Sequence, residues 1–316
     1  MKGLTDIPGI RVGHASNLEA LTGCTVILCD SGAVAGCDIG GGATGTEEFD
    51  CMNPMHVTPS IHALVFAGGS AFGLEAASGV RRHLEHQGIG FPTRAAKVPI
   101  VPGAILYDLA IGRADVRPTR EMGEAAAAAA TNKAVEEGCI GAGTGATVGK
   151  VFGMERAMKS GIGTFTIELP GGVLVSAMAA VNAFGDVVDP TTGKILAGAR
   201  KSANSREFAD TIKALQGGID GPFGRQNTTL CVVATNARLS KVEATKMARM
   251  AQAGMLRALR PAHTMFDGDL VVALSVGDKK ADLNAIGVTA GDALAKAITR
   301  GVTEAKSMGG LPGLKK

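Results

Sequence analysis

The stretch Leu230-Cys231-Val232-Val233-Ala234 constrains the fold more than any other. An apolar run this continuous, bounded by Asn236, reads as a fully buried strand. Ahead of it the chain is Gly-rich and reads as flexible from Gly217 to Gln226. Thr228 and Thr229 stand where loop becomes strand. Threonine suits a strand, so the plain reading of this pair is the start of a core strand. Hydrophobic residues make up 46% of the 316 and charged residues 19%, which allows a sizeable core and argues against disorder.

Aromatics are scarce, with no Trp, one Tyr and ten Phe, so that core is built from Ala, Val, Leu, Ile and Met. The 45 glycines point to tight turns and close backbone approaches. A net charge of +3 without a basic stripe argues against a nucleic-acid partner. Cys24, Cys29, Cys37, Cys51, Cys139 and Cys231 form no C-x-x-C pair and read as buried free thiols in a reducing compartment. The N-terminus has no apolar signal segment. No run approaches the ~18 apolar residues of a spanning helix. The expectation is a soluble, cytoplasmic chain, one domain over residues 1–316, with no membrane partner.

Strands are expected at Ile10–Gly13, Cys24–Cys29, Ala33–Ile39, Ile61–Ala67, Gly163–Leu169, Val173–Ala180 and Leu270–Val276. Helical spacing covers 71–87, with Ser70 as its cap, and an Ala-rich segment at 121–137. Ser205 is expected to cap a short helix at 206–215. Ser240-Lys241-Val242-Glu243 is a capping box that opens a helix stopped by Pro261. A last amphipathic helix spans roughly 284–307, and the tail from Gly309 reads as loose.

Two Gly-rich loops, Gly40–Thr46 and Gly141–Lys150, match neither the dinucleotide nor the phosphate-loop pattern, and no cofactor is implied. The first is a structural turn or a substrate-facing loop. In the second, Lys150 either faces a pocket or is solvated. Gly68-Gly69-Ser70 has some of the form of a nucleophile elbow, but Phe72 stands where that motif needs glycine. Tyr107 reads as a core aromatic with a paired hydroxyl. Asn182 closes a long apolar run, and either caps a turn or points its amide into a pocket. Asp267-Gly268-Asp269 is a hairpin-type turn by composition, yet the wholly apolar strand behind it puts that turn at the edge of a core. The six His include no H-E-x-x-H, and His83 and His86 have no third ligand in view, so no metal is expected.

Three blocks, taken together, carry a resemblance that covers almost the whole chain. They are Asp6-Ile7-Pro8-Gly9-Ile10-Arg11-Val12-Gly13-His14, Gly68-Gly69-Ser70-Ala71-Phe72-Gly73-Leu74-Glu75-Ala76, and Pro261-Ala262-His263-Thr264-Met265-Phe266-Asp267-Gly268-Asp269. The chain resembles the self-cleaving amide hydrolases that include the DmpA-type aminopeptidases, the β-aminopeptidases, a pantetheine hydrolase and the nylon-oligomer hydrolase. The resemblance implies an α/β fold, a four-layer αββα sandwich of N-terminal-nucleophile type, and a homo-oligomer, usually a tetramer or larger. It also implies that the precursor cuts itself before a Ser or Thr. Here the matching bond is Asn227–Thr228, which would leave a long chain, 1–227, and a short chain, 228–316. Asn-Thr-Thr-Leu followed by Val-Val-Ala-Thr-Asn-Ala is most similar to the Thr branch. Carried over by position, the catalytic Thr falls on Thr228, the active-site Lys on Lys150 and the Asn on Asn182. The two carboxylates fall on Asp267 and Asp269, and the Tyr on Tyr107. Thr44 and Glu47 depart from the pattern, standing where relatives often carry Pro and Arg.

The chemistry explains these residue types. A threonine hydroxyl is a weak nucleophile until a base takes its proton. Attack on the Asn227 carbonyl gives an ester that water opens, freeing the Thr228 amine, whose reference pKa of about 8 suits it as the base of later turnovers. By the same resemblance Lys150 lowers that pKa, Asp267 and Asp269 hold Lys150 and the amine, and Asn182 donates to the oxyanion. Tyr107 assists there or orients the substrate. The expected substrate is a short peptide, amide or nylon-like oligomer. One alternative is acyl transfer of the ornithine acetyltransferase type, which shares the fold and a Thr nucleophile but normally has Ala before it. The other is an uncut, non-enzymatic relative.

Overall fold

The computed structural model describes residues 2–218 and 227–316. The stretch read above as flexible therefore falls, from residue 219 to 226, outside the described residues. In chain order the strands begin with β1 Ile10–Asn17, β2 Thr22–Ile39, β3 Gly45–Glu47, β4 Ile61–Ala67, β5 Phe91–Pro92, β6 Lys97–Val98, β7 Gly103–Ile105 and β8 Thr147–Val148. They continue with β9 Met158–Lys159, β10 Ile162–Leu169, β11 Val173–Asn182, β12 Asp186–Val188, β13 Ile195–Ala197, β14 Thr228–Ala237, β15 Leu259–Arg260 and β16 Leu270–Lys279. The helices are α1 Glu75–His86, α2 Arg120–Ala128, α3 Thr211–Gln216, α4 Lys241–Ala258 and α5 Leu283–Thr303.

The central sheet runs in the order β10-β11-β14-β16-β2-β4-β7-β3, with β1 also paired to β2. Its two halves are joined by β2, an 18-residue strand where two separate strands were expected. Cys24–Leu28 pair with β4, and after a register shift Val34–Ile39 pair with β16. The shift falls where Asp30 and Ser31 are exposed and Gly32 takes φ +79°.

Side-chain alternation along these strands builds four layers. Cys231, Val233, Val271 and Ala273 point to one face and pack with Met247 and Met255 of α4 and Leu294 and Ile298 of α5. Leu230, Val232, Leu270 and Val272 point the other way and meet Ile27, Leu64 and Phe66 from the opposite half. On that half's outer face, Val26, Leu28, Ala63 and Val65 pack against α1 and α2 through Ala76, Val80, Ala126 and Ala127. The result is the expected αββα sandwich. The run 230–234 is buried throughout because it lies between α4/α5 and the facing sheet.

Several local expectations change. Ser70 does not cap a helix. It sits at φ +55° inside a 3-10 turn, Ser70–Leu74, and α1 follows. The Ala-rich helix stops at Ala128, because Thr131 exchanges two main-chain hydrogen bonds with Val12 of β1. The short helix starts at Thr211 with Asp210, not Ser205, as its cap. Within 206–209 the chain pairs instead with 199–200, through the Arg200–Phe208 bridge and the Ala209 N–H on Ala199 O. The tail is docked: Leu311 is buried, Pro312 O accepts from Lys159 N, and Lys315 pairs with Glu304. The capping box at Ser240 and Glu243 forms as read. All six cysteines are free, four of them buried. Among the described residues no helix is long and apolar enough to cross a membrane.

Helices α4 and α5 touch at their backbones, where a Cβ on Gly254 would lie 1.9 Å from Gly291 O. Gly254→Val should therefore force the helices apart, cost about 3 kcal/mol and lower the thermal midpoint by several degrees. An unchanged melting curve would contradict this contact.

Candidate active site

The parallel pairing of β14 with β16 places the starts of both strands at one edge of the sheet. The antiparallel neighbours β11 and β2 end at that same edge. Thr228, the first residue of β14, thus lies opposite Asn182, the last of β11. The turn leading into β16 runs beside residue 227, and an isolated parallel bridge joins Asn227 to Asp267.

Thr228 is 3% exposed, and its Oγ1 donates to the carbonyl oxygen of Asn227 at 2.5 Å. The Gly268 N–H donates to that same oxygen at 2.7 Å. Glycine is required at 268, since a Cβ there would fall 2.6 Å from Thr228 Oγ1. The Asn227 N–H donates to Phe266 O at 3.1 Å, and its side-chain Nδ2 to the same oxygen at 3.2 Å.

The flanking carboxylates fix this turn. Asp267 accepts from the Phe184 N–H at 3.2 Å and from Thr264 Oγ1 at 2.6 Å. Asp269 accepts from the Thr229 N–H at 2.8 Å and the His263 N–H at 3.0 Å. The first Gly-rich loop closes over the same turn. Gly40 and Gly41 N–H groups donate to Asp269 O, Gly42 to Thr264 O and Ala43 to Asp267 O. A Cβ on Gly41 would lie 2.3 Å from Asp267 O. This loop is a backbone clamp, and Glu47 beyond it is ion-paired with Arg81.

Asn182 is fully buried. Its Oδ1 accepts from Lys150 Nζ at 2.8 Å and from the Thr147 N–H at 3.1 Å, while Nδ2 donates to Tyr107 O at 2.9 Å. Lys150 Nζ also donates to Asn182 O at 3.0 Å. One amide thereby gathers Lys150, Tyr107 and the second Gly-rich loop. Burial pushes the Lys150 ammonium down to about 7, against the pull of Asp267, Asp108 and Asp269. Asp267 is raised by burial first and by the charge of Asp269 second.

A cavity of about 230 Å³ opens on this cluster, lined by Tyr107, Ala110, Ile111, Lys150, Met154 and Asn227 among others. All six expected site residues converge around the Asn227–Thr228 bond or this cavity. Ser70 does not line it. Three participants escaped the sequence reading. The Gly268 N–H is a main-chain group and has no sequence signature. Asp108, also lining the cavity, holds the Tyr107 loop by accepting from the Gly69 N–H and Thr22 Oγ1, both at 2.7 Å. A carboxylate inside the apolar run 104–109 was the available signal. His263, at φ +59°, sets its Nδ1 3.4 Å from Asp269 Oδ2.

The model of peptidase family S58 matches residues 2–315. An uncharacterized aminopeptidase of Mycobacterium tuberculosis is 39% identical, covering 99% of this chain and 96% of its own. A 6-aminohexanoate-oligomer endohydrolase of Paenarthrobacter ureafaciens is 31% identical, covering 86% of this chain and 74% of its own. Among solved structures, an L-aminopeptidase D-Ala-esterase/amidase from Ochrobactrum anthropi, described as a variant of the Ntn hydrolase fold, superposes with a TM-score of 0.74. That match has 19% identity and covers 98% of this chain and 88% of the other. A β-aminopeptidase from Burkholderia sp. gives 0.69 at 21% identity, over 99% and 91%. These relatives are hydrolases by name, and the acyl-transfer alternative finds no support among them.

Asn182→Leu removes the acceptor shared by Lys150 and Thr147. The expected loss is about 1–3 kcal/mol in urea unfolding. A variant as stable as the parent would mean that this amide is not the hub of the site.

Proposed function

The chain belongs to peptidase family S58 and is an amide-bond hydrolase, and on that premise we propose that it cuts itself at Asn227–Thr228 and works through the Thr228 N-terminus. The products are a long chain, 1–227, and a short chain, 228–316. The observation that carries this reading is the hydroxyl of Thr228 resting on the carbonyl of the residue before it, with the Gly268 N–H on the same oxygen.

Cleavage begins as Thr228 Oγ adds to the Asn227 carbonyl carbon and its proton passes to a base. Lys150, held to about 7, is neutral often enough near pH 7 to be that base. The oxygen that gains charge is the one held by Gly268 N–H, a type of donor worth about 3–4 kcal/mol to such a transition state. Collapse breaks the C–N bond, leaving an ester on Oγ and a free amine on Thr228. Water then opens the ester and releases the Asn227 carboxylate. In later turnovers the Thr228 amine takes the hydroxyl proton. Asn182 keeps one amide N–H beyond its bond to Tyr107 O, and we assign it the second oxyanion contact. Tyr107 orients substrate from the cavity wall. Asp267 and Asp269 hold the turn, Lys150 and the new amine. The relatives' names give two substrate classes to weigh, peptide N-termini and 6-aminohexanoate oligomers.

Thr228→Ala should run as one full-length band on a denaturing gel while the parent gives two, and Thr228→Ser should still divide. Two bands from Thr228→Ala would refute the assigned cut. The rate of division should rise with pH through about 7, as Lys150 loses its proton. Lys150→Met should remove that limb, and a parent profile flat from pH 6 to 8 would exclude Lys150 as the base.

A further inference from the structure

The segment 141–149 that leads to Lys150 is buried from end to end. It is mostly glycine and alanine, and a Cβ on Gly143 would lie 2.6 Å from Ile162 N. Such a segment carries few side chains to pair its own carbonyls, and a buried carbonyl without a donor is costly. Lys159 supplies donors. It is fully buried, on β9 opposite Thr147 of β8. Its Nζ donates to Gly143 O at 3.1 Å, Ala146 O at 2.8 Å and Ser160 O at 2.7 Å, one bond for each ammonium hydrogen. Burial pulls this ammonium down to about 8, while Cys139 and Asp108 hold it up.

The Ala146 carbonyl and the Thr147 N–H belong to one planar peptide group. Its oxygen accepts from Lys159 Nζ and from the Ser160 N–H at 3.0 Å. Its N–H donates to Asn182 Oδ1 at 3.1 Å, where Lys150 Nζ also donates at 2.8 Å. One peptide plane thus joins a buried cation to the amide that seats the lysine of the site. A cation on the oxygen of a peptide polarises its N–H, which strengthens the bond to Asn182.

We infer that Lys159 is a positioning residue for the chemistry at Thr228. Through the 146–147 peptide it fixes Asn182 and Lys150, and its buried positive charge holds Lys150 toward the neutral amine. A neutral amine has two hydrogens, and Asn182 O and Oδ1 take both, which leaves its lone pair for the Thr228 hydroxyl. The charges that bear on Lys150 are Asp267, Asp108 and Asp269, which favour the ammonium, and Lys159, which opposes it. Without the Lys159 charge the carboxylates act unopposed by it, so Lys150 keeps its proton to a higher pH. That the hydroxyl proton passes to Lys150 rests on the function proposed above; the hold of Lys159 on Lys150 does not.

The test uses the full chain in two forms. Lysines labelled with carbon-13 at Cε are titrated by NMR in Thr228→Ala, and the pH profile of division is followed with Thr228 intact. In Thr228→Ala alone, Lys159 should keep its proton to about 8 and Lys150 only to about 7. Adding Lys159→Gln, which keeps a donor and drops the charge, should raise the Lys150 midpoint by ~0.5 pH unit or more, and the rising limb of division should move with it. Lys159→Met, which drops both, should move the limb the same way and also slow division ~10-fold at its plateau. A folded Lys159→Gln with Lys150 unmoved overturns the inference and leaves Lys159 a staple of the fold. So does a Lys159 that is already neutral where Lys150 is still charged, a result read with Lys159 in place and therefore decisive even where neither variant folds. A raised Lys150 midpoint with a flat profile of division upholds the hold of Lys159 on Lys150 and sinks Lys150 as the base.

Discussion

The site depends first on β14 and β16 lying parallel. Two parallel strands begin at the same edge of a sheet, whereas antiparallel neighbours end where their partners begin. With β11 and β2 antiparallel on either side, one edge collects the start of β14, the turn before β16, the end of β11 and the loop after β2. Residues as far apart in sequence as Gly41, Asn182, Thr228 and Asp269 meet without any long side chain bridging them. Because these strands are interior to a four-layer stack, their register is fixed by burial on both faces, since a one-residue slip would send each side chain to the wrong layer. The positions of the reacting atoms are therefore set by the core.

Electrostatics then tune what the core positions. Burial drives Lys150 toward its neutral form, and the surrounding carboxylates drive it back, leaving it near neutrality at about 7. Asp267 faces the mirror-image problem. Burial and the neighbouring Asp269 push it toward protonation, while Thr264, Phe184 N–H and Lys150 oppose that. Neither group titrates alone, since each sets part of the other's field. Removing any one charge should shift the protonation of the rest, so the turn and the lysine work as a unit.

The sequence carried the layers and the side chains of this site more clearly than its backbone. The apolar run 230–234 announced a strand covered on both sides, and the capping box at Ser240 marked the start of α4. The continuity of β2 was hidden because Asp30-Ser31-Gly32 interrupts its apolar pattern where the strand crosses between halves and meets solvent. Helix propensity over 121–137 was overridden by the main-chain partners that β1 offers Thr131. At the site, Thr228, Lys150, Asn182, Asp267, Asp269 and Tyr107 came from resemblance, because no local pattern distinguishes a nucleophilic Thr from one that merely opens a strand. The Gly268 N–H and the Phe266 carbonyl had no sequence signature, since every residue carries such groups and only the turn aims them.

That last point gives the Asp-Gly-Asp sequence its meaning. A side-chain donor to the scissile oxygen has rotamers to lose, whereas a main-chain N–H in a clamped turn is already aimed. The clamp needs two carboxylates facing into the protein, one on Phe184 N and Thr264, the other on Thr229 N and His263 N. Between them the residue has to be glycine, since any Cβ would occupy the approach of Thr228 Oγ1. A turn that suggested solvent by composition is thus buried for a mechanical reason. In the precursor its acids hold the turn in place, and its one side-chain-free position is what lets a hydroxyl and an N–H reach the same carbonyl.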